Sequence, residues 1–325
     1  MQDDSESGDG QLELEVYTEL LEPVLEGFAL RQPRVSHMVH YCDRAALEGI
    51  VNSKEFWFNP ISLMSDISEI VAGKELIVAA AEHGQPAAKA MFAMQQWVED
   101  FWERAKADFE ARLAHDREHT FIACWSECDL GRNTHDDLSM WRGYGDDGDG
   151  YALVVKSDAL LSINRPRSIV VLPVEYQSEA EFKARAANYI KTFAINFLHL
   201  SDLEREQCAD VAVRAFSDLC FYLAVSHKHV GFAVEKEWRL IWQRDPGNET
   251  EVDSLVATRL GFERLCWPLT GFGEHNQYLR LDSIKQVMVG PCNTAAERER
   301  AVRTLFRGAG CAPDVAHSRI PYRRK

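Results

Sequence analysis

The strongest local pattern lies between Phe232 and Trp242, where apolar and charged side chains alternate. A period of two is typical of a half-buried strand. On such a strand Glu235, Glu237 and Arg239 share one face, with the two carboxylates roughly 7 Å apart. Because Arg239 lies two residues from Glu237, we expect its guanidinium to keep that carboxylate ionised. The alternative is an exposed strand face that carries only an ion-pair ladder.

Short apolar runs predict further strands, and two of them end in residues suited to chemistry. Residues 35–42 predict a strand that ends near His40 and Tyr41, where a loop begins. Residues 119–127 predict a buried strand that ends near Ser126. Since binding and catalytic residues are common where strands give way to loops, we expect a site built from these strand ends and the Glu-x-Glu strand.

Longer stretches with apolar residues every three or four positions predict helices. Residues 1–10 are polar and acidic, which predicts a disordered leader, and residues 11–34 predict an N-terminal helix. We expect residues 35–325 to form a single α+β domain. Helical patterns at about residues 66–117 and 178–226 predict two helical insertions in that domain.

The composition disfavours several classes of partner. The chain of 325 residues carries 36 basic and 51 acidic residues, for a net charge of -15. Such a balance disfavours nucleic acid and anionic membranes as partners. No apolar run reaches the roughly 18 residues of a membrane span. The eight cysteines of this long chain follow no signal peptide, so we expect a cytoplasmic protein with reduced thiols.

The sequence supports a metal site only weakly, and we predict no metal ligand. Cys124 lies close to Cys128, and His227 lies close to His229, but a second paired hook with zinc spacing is not clear. The loop at residues 143–151 is rich in Gly and Asp, but it lacks the terminal Glu of a calcium loop. A metal-dependent hydrolase therefore stays only as an alternative.

Several motifs together resemble a known bacterial family. They are HYCDRAALEGIVNSKEFWFNP, CWS, SMWRGYGDDGDGYAL, EKEWRL, QVMVGP and the final HSRIPYR. Their order resembles DUF2971 from about residue 35 to residue 323. The chain departs from that pattern at Ser65 and Ile67, where the family has Asn-Asp-Pro, and in the long helical region between Glu69 and His119. This resemblance implies no activity.

A second resemblance implies an activity. The opening strand with an imidazole, the strand that ends in Ser and the Glu-x-Glu strand are similar to the signature elements of Arg-Ser-Glu ADP-ribosyltransferases. The resemblance implies a curved, split β-sheet and NAD as the substrate. It assigns His40, in place of Arg, to orienting NAD, and Ser126 to supporting the site. Glu237 would contact the nicotinamide ribose, and Glu235 would lie nearer the acceptor.

The same resemblance implies which other residues meet NAD. Tyr41 lies beside His40, Trp125 and Tyr144 offer aromatic surfaces for the nicotinamide or adenine ring, and Arg239 orients the catalytic carboxylate.

We therefore expect an ADP-ribosyltransferase-like enzyme that modifies a macromolecular or small acceptor, in antiviral defence against phage or in a toxin system. The alternative is a non-enzymatic sensor or protein-interaction module with its partner surface on the helical insertions. An open cleft shared by His40, Ser126 and Glu237 would favour the enzyme. A Glu237 buried against Arg239 with no adjoining cavity would favour the module.

Overall fold

The computed structural model describes residues 5–29, 35–64, 67–115, 119–161, 169–244, 251–270 and 279–322. They form a mixed α+β fold, as the sequence predicted. The chain divides into two compact units. The helical unit comprises residues 1–31, 64–117 and 173–233, and the sheet unit comprises residues 32–63, 118–172 and 234–325. The N-terminal helix and both segments predicted as insertions thus belong to one unit.

The α-helices of the described residues are α1 Ser5–Ala29, α2 Arg44–Ser53, α3 Ile67–His83, α4 Gln85–Gln95, α5 Phe101–His115, α6 Leu138–Tyr144, α7 Ser157–Leu161, α8 Glu179–His199, α9 Asp202–Gln207, α10 Ala209–Val225 and α11 Ala295–Gly308. The strands are β1 His37–Cys42, β2 Glu55–Pro60, β3 Thr120–Cys128, β4 Tyr151–Lys156, β5 Val170–Pro173, β6 Glu175–Gln177, β7 His227–His229, β8 Glu237–Gln243, β9 Val256–Arg259, β10 Phe262–Pro268, β11 Ile284–Val289 and β12 Asp314–His317. None of these helices is both long and apolar enough to cross a bilayer.

The helical unit is organised around α10, which is buried along nearly its whole length. Helices α1, α3 and α5 pack against it. Asp218 of α10 joins three helices, because it accepts a hydrogen bond of 2.7 Å from the Tyr17 hydroxyl of α1 and pairs with Arg112 of α5. Burial raises the pKa of the Asp218 carboxyl, and Arg112 opposes that shift. Helix α1 begins at Ser5 rather than Gln11, and residues 1–4 and 30–34 lie outside the described residues.

The sheet unit contains a mostly antiparallel sheet of ten described strands. The strand order is β12-β11-β4-β1-β3-β2-β10-β9, and β8 joins the sheet by pairing with β3 and β5. The strand predicted at residues 35–42 is β1, and the one predicted at residues 119–127 is β3. Strands β11 and β12 pair in parallel.

Each face of the sheet buries an apolar layer. The major face carries the larger layer, which includes Met38, Trp125 and Leu240, and α2 and α11 pack on it. The minor face carries Val39 and Tyr41, and α6 covers it through Met140 and Trp141. Because successive side chains of a strand point to opposite faces, the two layers also determine where each polar side chain points.

The C-terminal segment is fastened to the loop between β3 and α6. Both carboxylate oxygens of Asp136 accept hydrogen bonds. Oδ1 accepts from Trp141 Nε1 at 2.9 Å and from Ser318 Oγ at 2.5 Å. Oδ2 accepts from the backbone N–H of Arg319 at 2.7 Å and from Asn133 Nδ2 at 3.5 Å. This arrangement suits a carboxylate, which only accepts hydrogen bonds.

The glycine-rich loop before β4 packs against the same segment. The Tyr322 hydroxyl donates to Asp147 Oδ1 at 2.7 Å, and Gly290 N–H donates to the Gly150 carbonyl at 3.0 Å. A Cβ at Gly290 would collide with the backbone carbonyl of Gly148. Three of the motifs found in the sequence therefore meet here, and their contacts are structural.

Candidate functional site

The Glu-x-Glu segment is not one continuous strand. Residues Val230–Glu235 form a 3-10 helix, and β8 begins only at Glu237. Lys236 between them has a φ of 46°, in the left-handed region. The predicted strand from Phe232 is therefore wrong over its first half, because the apolar side chain of Phe232 is 43% exposed and does not face a core. Glu235 and Glu237 are positioned by a turn at Lys236 and not by a strand repeat.

Glu237 forms a buried ion pair with Arg239. Arg239 Nε lies 2.9 Å from Glu237 Oε1, and Arg239 Nη2 lies 3.3 Å from Oε2. The guanidinium is fully buried, and Glu237 is 7% exposed. Two hydrogen bonds from one guanidinium orient a carboxylate as well as neutralise it. The contact expected between Arg239 and Glu237 is therefore present.

Ser126 lies directly across from Glu237 in the β3–β8 pairing. In the β1–β3 pairing the same serine lies across from Val39, which belongs to the minor face. Ser126, Glu237 and Arg239 therefore lie on the minor face, while Trp238 between the last two packs into the major face. The structure thus brings the predicted serine and the predicted catalytic carboxylate together.

Tyr144 connects α6 to this group. Its hydroxyl donates a hydrogen bond of 2.9 Å to Glu235 Oε1. Glu235 is buried, whereas the Tyr144 side chain is 43% exposed. We call these five residues the carboxylate cluster: Ser126, Tyr144, Glu235, Glu237 and Arg239. It holds five of the eight residues that the sequence assigned to the site.

His40 lies on the other side of the sheet. Its ring packs against Phe56 and Trp125 of the major face, at centroid distances of 4.9 and 5.3 Å. Nδ1 lies 3.0 Å from the Cys124 carbonyl, which only accepts hydrogen bonds, so Nδ1 carries the proton and Nε2 is the acceptor nitrogen. Burial lowers the pKa of His40 and favours the neutral imidazole. The predicted grouping of His40 with Ser126 and Glu237 is not formed, because strand alternation separates them.

Tyr41 does not accompany His40. Its hydroxyl donates to the His135 carbonyl at 2.7 Å, and its ring meets Trp141 edge-on at 5.1 Å. Burial raises the pKa of Tyr41. These contacts attach the loop before α6 to the minor face. Trp125, predicted as a stacking surface for NAD, instead packs in the major layer beside His40.

Sequence reasoning did not single out Glu127. Trp238 Nε1 donates to Glu127 Oε1 at 3.1 Å, and Glu127 N–H donates to the Lys236 carbonyl at 3.0 Å. Glu127 therefore supports the left-handed turn that positions the two carboxylates. In the sequence, its position directly after Ser126 was the feature that could have indicated a place near the site.

The residues weighed for a metal are divided between the two units. Cys124 and Cys128 belong to the sheet unit, and His227 and His229 belong to the helical unit. Burial raises the pKa of the Cys128 thiol to about 12, which disfavours the thiolate that metals bind. Within the described ranges no group of three or more His, Cys, Asp or Glu side chains is arranged to hold a metal ion.

The carboxylate cluster is suited to stabilising positive charge. It places two buried carboxylates and two hydroxyls next to one turn, and the partly exposed Tyr144 ring adjoins them. An oriented carboxylate in a water-poor place stabilises a developing cation without first having to reorganise.

The comparisons with known proteins concern the segment that carries most of this cluster. No curated protein and no solved structure shows detectable similarity to the chain. One family does match, described as a protein of unknown function (DUF2971), and the matched residues include Tyr144, Glu235, Glu237 and Arg239. The resemblance predicted from the order of the motifs is thus confirmed over residues 140–240, which match DUF2971.

Proposed function

We propose that the chain is an ADP-ribosyltransferase-like enzyme that uses NAD as a substrate, with its chemistry at the carboxylate cluster. The observation that carries the proposal is the burial of both Glu235 and Glu237, one on each side of the Lys236 turn. The Tyr144 hydroxyl bonds to the first, and Ser126 lies across from the second. Burying carboxylates is costly, and such groups are concentrated at functional sites.

The reaction assigns a role to each group. When the bond between the nicotinamide nitrogen and ribose C1′ breaks, its electron pair leaves with nicotinamide and positive charge develops on the ribose. Glu237, held by Arg239, stabilises that charge. Glu235, oriented by the Tyr144 hydroxyl, takes the proton from the attacking acceptor as its new bond to C1′ forms.

The position of Glu237 also supports the proposal. Glu237 opens β8, an inner strand that pairs with β3 and β5, so the sheet and Arg239 together orient its carboxylate. His40, Tyr41 and Trp125 receive no contact with NAD in this proposal, because their own partners hold them elsewhere.

The test measures release of nicotinamide and transfer of label from adenylate-labelled NAD to proteins of a cell extract. Glu237→Asp keeps a charge beside Arg239 but draws the carboxylate back by one methylene, so we expect both activities to fall at least about 100-fold. Glu235→Gln keeps the acceptor for Tyr144 and should reduce transfer more than hydrolysis. Glu297→Gln, which neutralises an exposed carboxylate of α11 outside the cluster, is the matched control and should retain activity.

The ion pair of Glu237 with fully buried Arg239 favours a second candidate, a protein-interaction module in which the cluster only stabilises the fold. Removing one partner of a buried pair costs about 3–5 kcal/mol. Under that reading Glu237→Gln lowers the thermal midpoint by several degrees, and the wild-type chain releases no nicotinamide from NAD. That pair of results would replace the enzyme with the module.

A further inference from the structure

A cavity of about 600 Å³ lies beside β12. β12 is the terminal strand of the sheet, and among the described strands it pairs with β11 alone. Its outer edge therefore presents backbone N–H and C=O groups that no described strand uses, and such an edge is a ready template for another strand.

The residues that line the cavity come from both sides of the sheet. Ala316 packs with the layer of the minor face, as does Met288 across from it on β11. Val315 packs with the layer of the major face, and His317 lies across from Val289 of that layer. A cavity that meets both sides runs along the edge of the sheet. We call it the β12 groove. Asn133 lines it on the minor side and Glu299 lines it on the major side.

The size of the groove matches an extended peptide. One strand residue occupies about 3.3 Å along the strand, 4.8 Å between strands and 10 Å through the sheet, or roughly 160 Å³. The cavity therefore holds roughly four such residues, and β12 itself has 4 residues. A single extended segment of a partner therefore matches this volume.

The charges of the groove indicate what that segment carries. Glu299 on the major wall is already paired, with Arg303 at 2.8 Å and with His317 at 2.8 Å. These two neighbours lower the pKa of Glu299, with Arg303 contributing most. Arg319 lines the end of the groove, is exposed, and pairs with no acidic side chain among the described residues. The charge that the groove presents to a ligand is therefore the positive charge of Arg319.

We propose that the edge of β12 takes up an extended segment of a partner protein by strand addition, with an acidic side chain of that segment against Arg319. Backbone hydrogen bonds to β12 supply the affinity, and the side-chain contacts supply the selectivity. Asn133 and Gln286 offer amides to polar side chains of the segment on the minor side.

The first experiment selects phage-displayed random heptapeptides on the full chain. Wild-type protein should enrich peptides that carry an acidic residue and lack central proline. Arg319→Glu should shift the enrichment to basic residues, with at least about a tenfold change in the ratio of acidic to basic peptides. Arg307→Glu alters an exposed arginine of α11 outside the groove and should leave the wild-type preference intact. Equal preferences in all three proteins would overturn the proposal.

The second experiment locates the bound peptide by hydrogen exchange. The best synthetic peptide should slow exchange of the β12 amides at least about fivefold. The same peptide with alternate backbone nitrogens methylated should not, because it cannot continue the ladder. Equal protection by the methylated peptide, or by free glutamate alone, would show a side-chain or small-anion site and would refute strand addition. These readouts do not involve NAD, so they stand or fall independently of the proposed enzyme.

Discussion

Replacing Asp136 by asparagine should destabilise the sheet unit nearly as much as removing the side chain. Oδ1 accepts from Trp141 and Ser318, and Oδ2 accepts from the Arg319 backbone and Asn133. Whichever way an asparagine amide is turned, its NH2 faces a donor. At least one hydrogen bond to a charged acceptor is lost, which costs about 1.5–3 kcal/mol, and the others lose their charge assistance.

The expected total for Asp136→Asn is about 3 kcal/mol, and a unit of this size should lose about 6–12 °C in its thermal midpoint. The neighbouring Asp137→Asn is the matched control. Asp137 caps α6 through Oδ1 alone, which accepts from the backbone of Ser139 and Met140. Asparagine keeps that oxygen and caps helices about as well as aspartate, so the loss should stay within about 0.5 kcal/mol.

Two measurements check this pair of variants. Calorimetry of the full chain gives the thermal midpoints, and hydrogen exchange gives the protection of the Arg319 amide. The local exchange measurement is needed because a chain of two units need not unfold in a single transition. Exchange at Arg319 should quicken in Asp136→Asn and stay unchanged in Asp137→Asn. If the two variants have equal midpoints and equal exchange, the requirement for two accepting oxygens is wrong.

Other changes test other parts of the fold. Because burial lowers the pKa of His40, the unfolded chain binds a proton at this residue near pH 6.5, at a higher pH than the folded chain does. The contribution of neutral His40 to stability is therefore complete above about pH 7 and decreases as the pH is lowered further. His40→Gln should make the decline of the midpoint between pH 7.5 and 5.5 shallower, and an unchanged slope would contradict this. Gly290→Ala should cost at least about 2 kcal/mol through backbone collision, whereas Gly308→Ala, with open space around it, should not lower the midpoint. Tyr17→Phe should cost about 1.5–3 kcal/mol in urea unfolding by leaving Asp218 short of a donor, and a loss below about 0.5 kcal/mol would exclude that role.

Alternation along strands predicted a large part of the sheet unit. It located β1 and β3, and it identified Glu237 and Arg239 as neighbours on one face. The same rule places the consecutive residues His40 and Tyr41 on opposite faces. The sequence alone therefore implies that these two side chains are separated. The prediction that both contact NAD did not take this alternation into account.

The start of β8 was not accessible in this way. Phe232 and Val234 continue the alternation of the strand, yet both are largely exposed in a 3-10 helix. Lysine seldom adopts positive φ, so Lys236 carries no signal of the left-handed turn. The turn depends on partners such as the Glu127 backbone, which are distant in the chain.

Which helices pack together in the helical unit also depends on contacts between residues far apart in the chain. Periodicity predicted helices near residues 66–117 and 178–226, but it does not state which helices pack together. Asp218 shows why, because its partners Tyr17 and Arg112 lie in segments far from it in the chain. A carboxylate in an apolar, buried helix indicates that it has a polar partner, but the sequence does not identify that partner.

The fastening of Tyr322 to Asp147 has a consequence for biosynthesis. The two residues are 175 positions apart, so a ribosome that adds about 5–20 residues per second needs about 9–35 s to make the second after the first. Within that interval, the 128 residues from the end of β4 at Lys156 to the start of β11 at Ile284 take about 6–26 s. During this time β4 has been translated but β11, which pairs along its edge, has not. The nascent chain therefore displays a central strand with one side open, and molecular chaperones that shield such edges should matter most for this protein while it is still being translated.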